Sequence, residues 1–83
     1  MREFVKVSMY IDVDVDETKF TEEFMQEFRE SFYDFHTIED HIEHLATLFA
    51  RGLCCNGSFI EGYGETEEMG IKFKMIDIDR EIE

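Results

Sequence analysis

Three carboxylates at alternate positions, Asp12, Asp14 and Asp16, are the first residues whose type and spacing suggest chemistry. Together with Glu23 they match the first, third, fifth and twelfth positions of a calcium-binding loop. That loop requires glycine at its sixth position, where this chain has Glu17, and an entering helix, where this chain alternates like a strand. We therefore expect no dedicated calcium site, and weak cation binding by the row is left open.

Histidine and cysteine form the second candidate set, which comprises His36, His41, His44, Cys54 and Cys55. His41 and His44 are three residues apart, so on a helix they share a face, as metal ligands do. No CxxC pair completes a zinc-type spacing, however, and both rings border an apolar stripe that they would cover. Neighbouring cysteines are poorly placed for a mutual disulfide. We expect no metal site, no disulfide and no cofactor.

Catalysis has no signature in the sequence. GxSxG, HExxH and a glycine-rich phosphate loop are all absent from it. Carboxylates are so abundant that no acid–base pair stands apart from the others. We expect that the protein is not an enzyme.

Net charge is the outlying property of this chain. Its 21 acids and 8 bases give −13, whereas a magnitude of about 2–8 suffices for the solubility of a small domain. Between residues 12 and 43, twelve acids face only Lys19 and Arg29, which leaves −10 in that stretch. Such acidity opposes direct binding to nucleic acid or to an anionic membrane and predicts a basic protein partner.

The predicted contact surface combines the strand row with the polar face of the helix that follows. Carboxylates held at fixed spacing there would occupy a Lys/Arg groove that normally binds a nucleic-acid backbone. A solvated acidic face without a partner is the alternative. The residues of the predicted surface are Asp12, Asp14, Asp16, Glu22, Glu23, Glu27 and Glu30.

Strands and helices that would position these residues follow from hydrophobic periodicity. Apolar side chains at every odd position from Val5 to Val15 predict a half-buried strand over Glu3–Asp16. Two amphipathic helices are expected next, and shorter strands after them. The expected elements are helices from Thr21 to about Tyr33 and Ile38–Arg51, and strands Ser58–Tyr63 and Gly70–Asp79.

The fold class predicted from these elements is α+β. We expect one small domain over residues 1–83, with an antiparallel sheet of about three strands packed on two helices in the chain order β-α-α-β-β. Ile76 and Ile78 change the phase of the last strand, which predicts either a bulge or a strand end that is covered on both sides. We further expect a hairpin loop over Gly64–Glu68, a frayed tail over Arg80–Glu83, and surface positions for Tyr10, Tyr33 and Tyr63.

In size, acidity and strand-helix-helix-strand order, the whole chain resembles phage-encoded anti-CRISPR proteins, particularly inhibitors of type I systems. The resemblance implies a DNA mimic that binds the CRISPR surveillance complex at the subunit that reads the protospacer-adjacent motif and blocks loading of the target duplex. These proteins share no diagnostic motif, so the site residues above rest on charge geometry. A phage inhibitor of a restriction enzyme or of uracil glycosylase would look similar.

A different class of function is also open. The chain would then be an acidic structural or regulatory module that forms homodimers through its sheet edge and aromatic surface. Monomer and homodimer both remain possible from the sequence. With no apolar run of transmembrane length and no apolar signal core in MREFVKVSMY, we expect a cytoplasmic protein, in the host cell if it is a phage inhibitor.

Overall fold

Seven helices and strands follow one another within residues 1–82. They are β1 (Val5–Asp14), α1 (Glu22–Ser31), α2 (Ile38–Ala50), β2 (Phe59–Ile60), β3 (Gly64–Glu65), α3 (Thr66–Met69) and β4 (Lys72–Ile82). A 3-10 turn over Glu17–Lys19 links β1 to α1. These bounds come from a computed structural model, which describes residues 1–82. The predicted α+β class, with antiparallel strands and two main helices, is confirmed.

Pairing divides the strands into two sheets of two strands each, β1 with β4 and β2 with β3, instead of one sheet of about three. The outer edge of β4 is occupied at Phe73 by the side chain of Asn56. Its Nδ2 donates to the Phe73 carbonyl at 3.0 Å, and its Oδ1 accepts from the Phe73 N–H at 2.8 Å. Because both backbone groups of Phe73 are bonded in this way, a third strand has no place there.

The β1–β4 register contains a bulge, one of the two alternatives that the change of phase predicts. Tyr10 lies opposite Asp77, but Ile11 lies opposite Met75, so Ile76 is the extra residue. Beyond the bulge the ladder continues to the pair Val5 and Ile82. The expectation of a frayed tail is therefore wrong for residues 80–82, and Glu83 lies outside the described residues.

Local capping fixes the starts of both main helices as the sequence predicts. Thr21 caps α1 by accepting a bond from the Phe24 N–H at 3.1 Å. Thr37 and Asp40 form a complete capping box at the start of α2. The two helices end at Ser31 and Ala50, slightly before the predicted ends.

The segment that follows α2 differs most from expectation. The predicted strand Ser58–Tyr63 is reduced to β2, and the predicted hairpin loop Gly64–Glu68 is replaced by β3 and α3. The side chain of Thr66 is fully buried and accepts a bond from the Gly57 N–H at 2.8 Å. This long-range bond holds the segment in a compact turn that local propensity does not reveal.

We call the β1–β4 pair the ribbon. The hydrophobic core lies between α1, α2 and the half of the ribbon that contains Ile11, Val13 and Phe73. Phe28 on α1 is 3% exposed, whereas Phe32 one turn later is 43% exposed, so burial of the phenylalanines decreases toward the end of this helix. Partly buried Ile11 and Val13 of β1 pack against this core. Its buried members are Phe20, Phe28, Leu45, Cys54, Ile60, Tyr63, Ile71 and Phe73.

The outer half of the ribbon extends away from the core, and the molecule measures 51 × 23 × 18 Å as a result. We call residues 1–10 and 77–82 the arm and residues 11–76 the body. Val5 and Val7 in the arm are 54% and 55% exposed, and Ile82 opposite Val5 is 68% exposed. Neither a third strand nor buried packing supports the arm among the described residues.

Candidate functional site

Asp12 and Asp14 lie on the exposed face of β1, as predicted, but they do not form a bare acidic row. The register places Lys74 opposite Asp12 and Lys72 opposite Asp14. Directly opposed residues of an antiparallel pair share a face, so each carboxylate has an ammonium group as its cross-strand neighbour. Two of the three carboxylates of the strand row thus have a positive charge opposite them, and this depends on a register that the sequence does not specify.

Asp16 lies beyond the end of β1 and has a local structural role. Its Oδ1 accepts bonds from the Thr18 hydroxyl at 2.6 Å and the Thr18 N–H at 3.0 Å, which caps the turn Glu17–Lys19. The hydroxyl bond is the main cause of a lowered pKa for this carboxyl group, and the N–H bond adds to it. Asp16 remains ionised, but its position is set by the turn and not by the strand.

Four exposed glutamates make α1 the most acidic element of the predicted surface. Glu23, Glu27 and Glu30 follow one another at intervals of four and three residues, so they share one face of the helix. At about 1.5 Å of rise per residue, these three charges span about 10 Å along the axis. The opposite face is anchored in the core by Met25 and Phe28.

Arg29, the basic residue of α1, does not bond to this acidic face. It is half-buried, and its Nη1 donates to the carbonyl oxygen of Phe35 at 3.2 Å. The guanidinium is therefore directed toward the segment that joins the two main helices. The glutamates of α1 keep their charge exposed to solvent.

The start of α2 extends the acidic surface. Asp40 accepts bonds from the backbone N–H groups of His36 at 3.2 Å and Thr37 at 3.3 Å. The bond from His36 is the main cause of the lowered pKa of Asp40. Glu39 and Glu43 are exposed one turn apart, where like charges repel.

Charge is divided unequally between the two parts of the molecule. The body holds sixteen acids and five bases, a net charge of −11, whereas the arm holds four acids and three bases, a net charge of −1. Asp77 and Asp79 lie in the arm, opposite Tyr10 and Ser8, and so extend away from Asp12 and Asp14. The strongly acidic surface is therefore confined to the body.

His41 is fully buried, which the sequence does not predict. Its Nδ1 lies 2.8 Å from the hydroxyl oxygen of Tyr63, and its Nε2 has no hydrogen-bond partner among the described residues. Burial is the main cause of the lowered pKa of His41 and of the raised pKa of Tyr63. Tyr63 is buried among core rings such as Phe28, with its hydroxyl bonded to His41, so the expectation of a surface position is wrong. Tyr10 and Tyr33 are exposed, as predicted.

Histidines and cysteines are not gathered into a ligand set. Within residues 1–82, no group of three His, Cys, Asp or Glu side chains is arranged to hold a metal ion. His36 pairs with Asp34 at 3.0 Å on the surface. Cys54 is buried, which raises the pKa of its thiol, and Cys55 is exposed.

A groove of about 580 Å³ lies at the base of the ribbon. Its charged lining has both signs, with Asp12, Asp14 and Glu67 beside Lys72 and Lys74. Mixed charge of this kind does not suit a hard cation, because the two ammonium groups repel it and supply no oxygen ligand.

No known protein family, curated protein or solved structure matches this chain. None of the helices within residues 1–82 has the length and apolarity that crossing a bilayer requires.

Proposed function

We propose that this protein is a non-enzymatic inhibitor whose acidic body mimics the backbone of nucleic acid and occupies a basic groove of a DNA-binding protein. The supporting observation is the solvent-exposed row of Glu23, Glu27 and Glu30, fixed on a helix whose other face is buried. Three charges over about 10 Å give roughly two thirds of the axial charge density of one DNA strand. Rigid, dense negative charge steers association with a basic groove.

The contact residues in this proposal are Asp12, Asp14, Asp16, Glu22, Glu23, Glu27 and Glu30. Their contributions differ because Lys72 and Lys74 oppose the strand carboxylates, whereas the α1 glutamates have no such opposition. We expect α1 to supply most of the binding free energy.

The proposed partner is a CRISPR surveillance complex of type I in the host cytoplasm, and the proposed effect is a block on target DNA recognition. The choice of partner rests on the resemblance of size, acidity and element order to anti-CRISPR inhibitors. The acidic body supports a basic groove of any DNA-binding enzyme equally well, so the partner must be identified by experiment.

Affinity capture from a host lysate tests the proposal. The tagged protein should retain a basic DNA-binding protein at low salt, and both high salt and added duplex DNA should release it, because screening and competition act on the same charges. Capture that persists in high salt and excess duplex would contradict polyanion mimicry.

Charge reversal locates the surface. The variant E23K/E27K/E30K should weaken capture roughly tenfold or more, since three ion pairs of up to about 1 kcal/mol each are lost. The control E61K/E65K/E68K makes the same change in net charge at exposed positions outside the predicted surface. Equal losses in both variants would show that net charge alone drives capture.

A further inference from the structure

The free edge of β1 is a surface that the acidic body does not explain. Within residues 1–82, β1 pairs only with β4, so the backbone groups on its other side have no strand to bond. Val5, Val7 and Tyr10 along this strand are each more than half exposed. A long, exposed edge with apolar side chains is a template for the addition of another strand.

A groove of about 510 Å³ follows this edge. Its lining includes Val7, Met9, Tyr10 and Ile11 of β1 and no residue of β4, so it lies on the side of β1 away from β4. The facing wall consists of small residues of α2, namely Ala46, Thr47 and Ala50. The space beside β1 is therefore open, and its wall can receive the side chains of an added strand.

β1 is complementary to itself when two copies align antiparallel about Met9. Lys6 of each copy then lies opposite Asp12 of the other, Val7 opposite Ile11, and Ser8 opposite Tyr10. Every pair joins residues of the same face, so apolar side chains meet apolar ones and charges meet opposite charges. A slip by one residue would place Lys6 opposite Ile11 and destroy this match.

The β1–β4 pairs within each chain also place opposite charges across from one another, so the alternation of charge would continue across all four strands of the dimer. Asp12 already lies opposite Lys74, and Lys6 lies opposite Glu81. The row across the joined sheet would read Lys74, Asp12, Lys6 and Glu81, with alternating sign, and it would occur twice by symmetry. Opposite charges directly across strands stabilise a sheet, whereas like charges destabilise it.

We propose that the β1 edge binds a second copy of this chain in this register, so that the β1–β4 pairs of two copies form one four-stranded sheet in the order β4-β1-β1-β4. The arm is a two-stranded ribbon without cover, and such ribbons are marginally stable alone. Its net charge of −1 makes it the part of the molecule where two copies repel least. The pairing uses Asp12 of the acidic surface but leaves the glutamates of α1 outside the contact.

Complementary charge reversal tests the register. By sedimentation equilibrium, the wild type should shift from 9.9 kDa toward about twice that mass as concentration rises. K6E and D12K should each weaken dimerisation roughly tenfold or more, because each places like charges together at two symmetric sites. An equimolar mixture of the two variants should dimerise again, since the glutamate introduced in one chain then faces the lysine introduced in the other.

The control D14K makes the same charge change on the same face of β1, outside the proposed pairs, and should dimerise like the wild type. The proposal would be overturned if the wild type stays at 9.9 kDa near 1 mM. It would equally be overturned if K6E is dimeric, or if D14K or the mixture is monomeric. Recovery in the mixture also excludes misfolding as the cause of the losses.

Cysteine cross-linking gives an independent measurement. In a C55S background, M9C should form a dimer on mild oxidation, because position 9 faces its own copy across the symmetry axis. V7C is the matched control, since the two copies of position 7 would be about 13 Å apart along the strands. Cys54 is buried and should not react. Equal cross-linking at both positions, or none at position 9, would contradict this register.

Discussion

The body and the arm are built on opposite principles. The body carries a net charge of −11 over a core that includes Phe28 and Leu45, whereas the arm carries −1 and leaves Val5 and Val7 exposed. Where charge is dense, burial beneath it fixes the geometry. In the arm, where charge is sparse, the side chains of Val5 and Val7 are not covered by other parts of residues 1–82. The two properties are separated in space, so the glutamates of α1 can bind a basic partner while the arm binds a second copy, and Asp12 is the residue that the two proposed contacts share.

This separation has a physical reason. Self-repulsion of the acidic body opposes folding, so the body requires a closely packed core to remain compact. The aromatic rings around His41 supply it, with the ring centroid of Phe28 at 4.8 Å and that of Phe35 at 5.2 Å from that of the histidine. The arm has no comparable repulsion to overcome, and its two strands are joined by the backbone ladder between β1 and β4.

Phe28→Ala is the strongest test of this contrast. Removing a ring that is 3% exposed should lower the free energy of unfolding by about 3–5 kcal/mol, measured by urea denaturation at low micromolar concentration. The matched arm variant Val7→Ala should cost less than about 0.5 kcal/mol, because that side chain is already exposed. Similar costs at the two positions would mean that the arm is packed as tightly as the body.

Gly62→Ala should have the next largest effect. Gly62 and Gly52 both have positive φ, +92° and +72°, so alanine is strained at each by about 1–2 kcal/mol. At Gly62 the new Cβ would also lie 2.7 Å from Cε2 of Phe28, whereas at Gly52 it would meet nothing within 4 Å. We expect an additional cost of about 1–3 kcal/mol at Gly62 alone. Thermal unfolding of the two variants side by side measures the difference.

Acid should destabilise the body through His41. Burial is the main cause of the lowered pKa of His41 in the folded protein. The charge of Asp40 acts in the opposite direction, and those of His44 and Arg29 lower the pKa slightly further. The unfolded chain therefore binds a proton more readily, and stability falls as the pH drops below the ordinary histidine value of 6.5.

The double variant H41F/Y63F isolates this effect. It removes the titrating ring together with the hydroxyl that bonds to it, so no polar group loses its partner. Its stability should fall less than that of the wild type between pH 7 and pH 5. Some slope should remain, because burial also lowers the pKa of His44. An unchanged slope would show that His41 does not carry the acid sensitivity.

Replacing Lys72 and Lys74 with alanine should have only a small effect on stability, less than about 1 kcal/mol for each cross-strand pair. Their loss would expose the charges of Asp12 and Asp14, which lie opposite them. Capture of a basic partner should then strengthen. Unchanged capture would assign binding to the glutamates of α1 alone.

Local signals in the sequence predict much of the fold. Thr21 and the Thr37–Asp40 capping box act over a few residues, and they mark the helix starts correctly. Alternation predicts β1, and the bulge is one of the two alternatives that its break at Ile76 predicts. These features need no knowledge of distant contacts.

Features that depend on distant contacts are not predictable in this way. The lysines opposite Asp12 and Asp14 are set by register, and the burial of Tyr63 is set by its bond to His41, 22 residues away in sequence. Neither the strand register nor the bond between Tyr63 and His41 produces a periodic pattern of residues in the sequence. The acidity of the candidate surface was evident from composition, but which carboxylates are opposed by lysines was not.

The side chain that closes the edge of β4 has a consequence for chemical ageing. Asn56 precedes Gly57, and Asn-Gly sequences deamidate when the glycine nitrogen attacks the asparagine side chain. Here both reacting groups are engaged, because the amide bonds to the backbone of Phe73 and the Gly57 N–H donates to Thr66 at 2.8 Å. Conversion of Asn56 to aspartate should therefore be slow in the native protein and fast once this turn opens, so the extent of deamidation in a stored sample would record how often the native turn has opened.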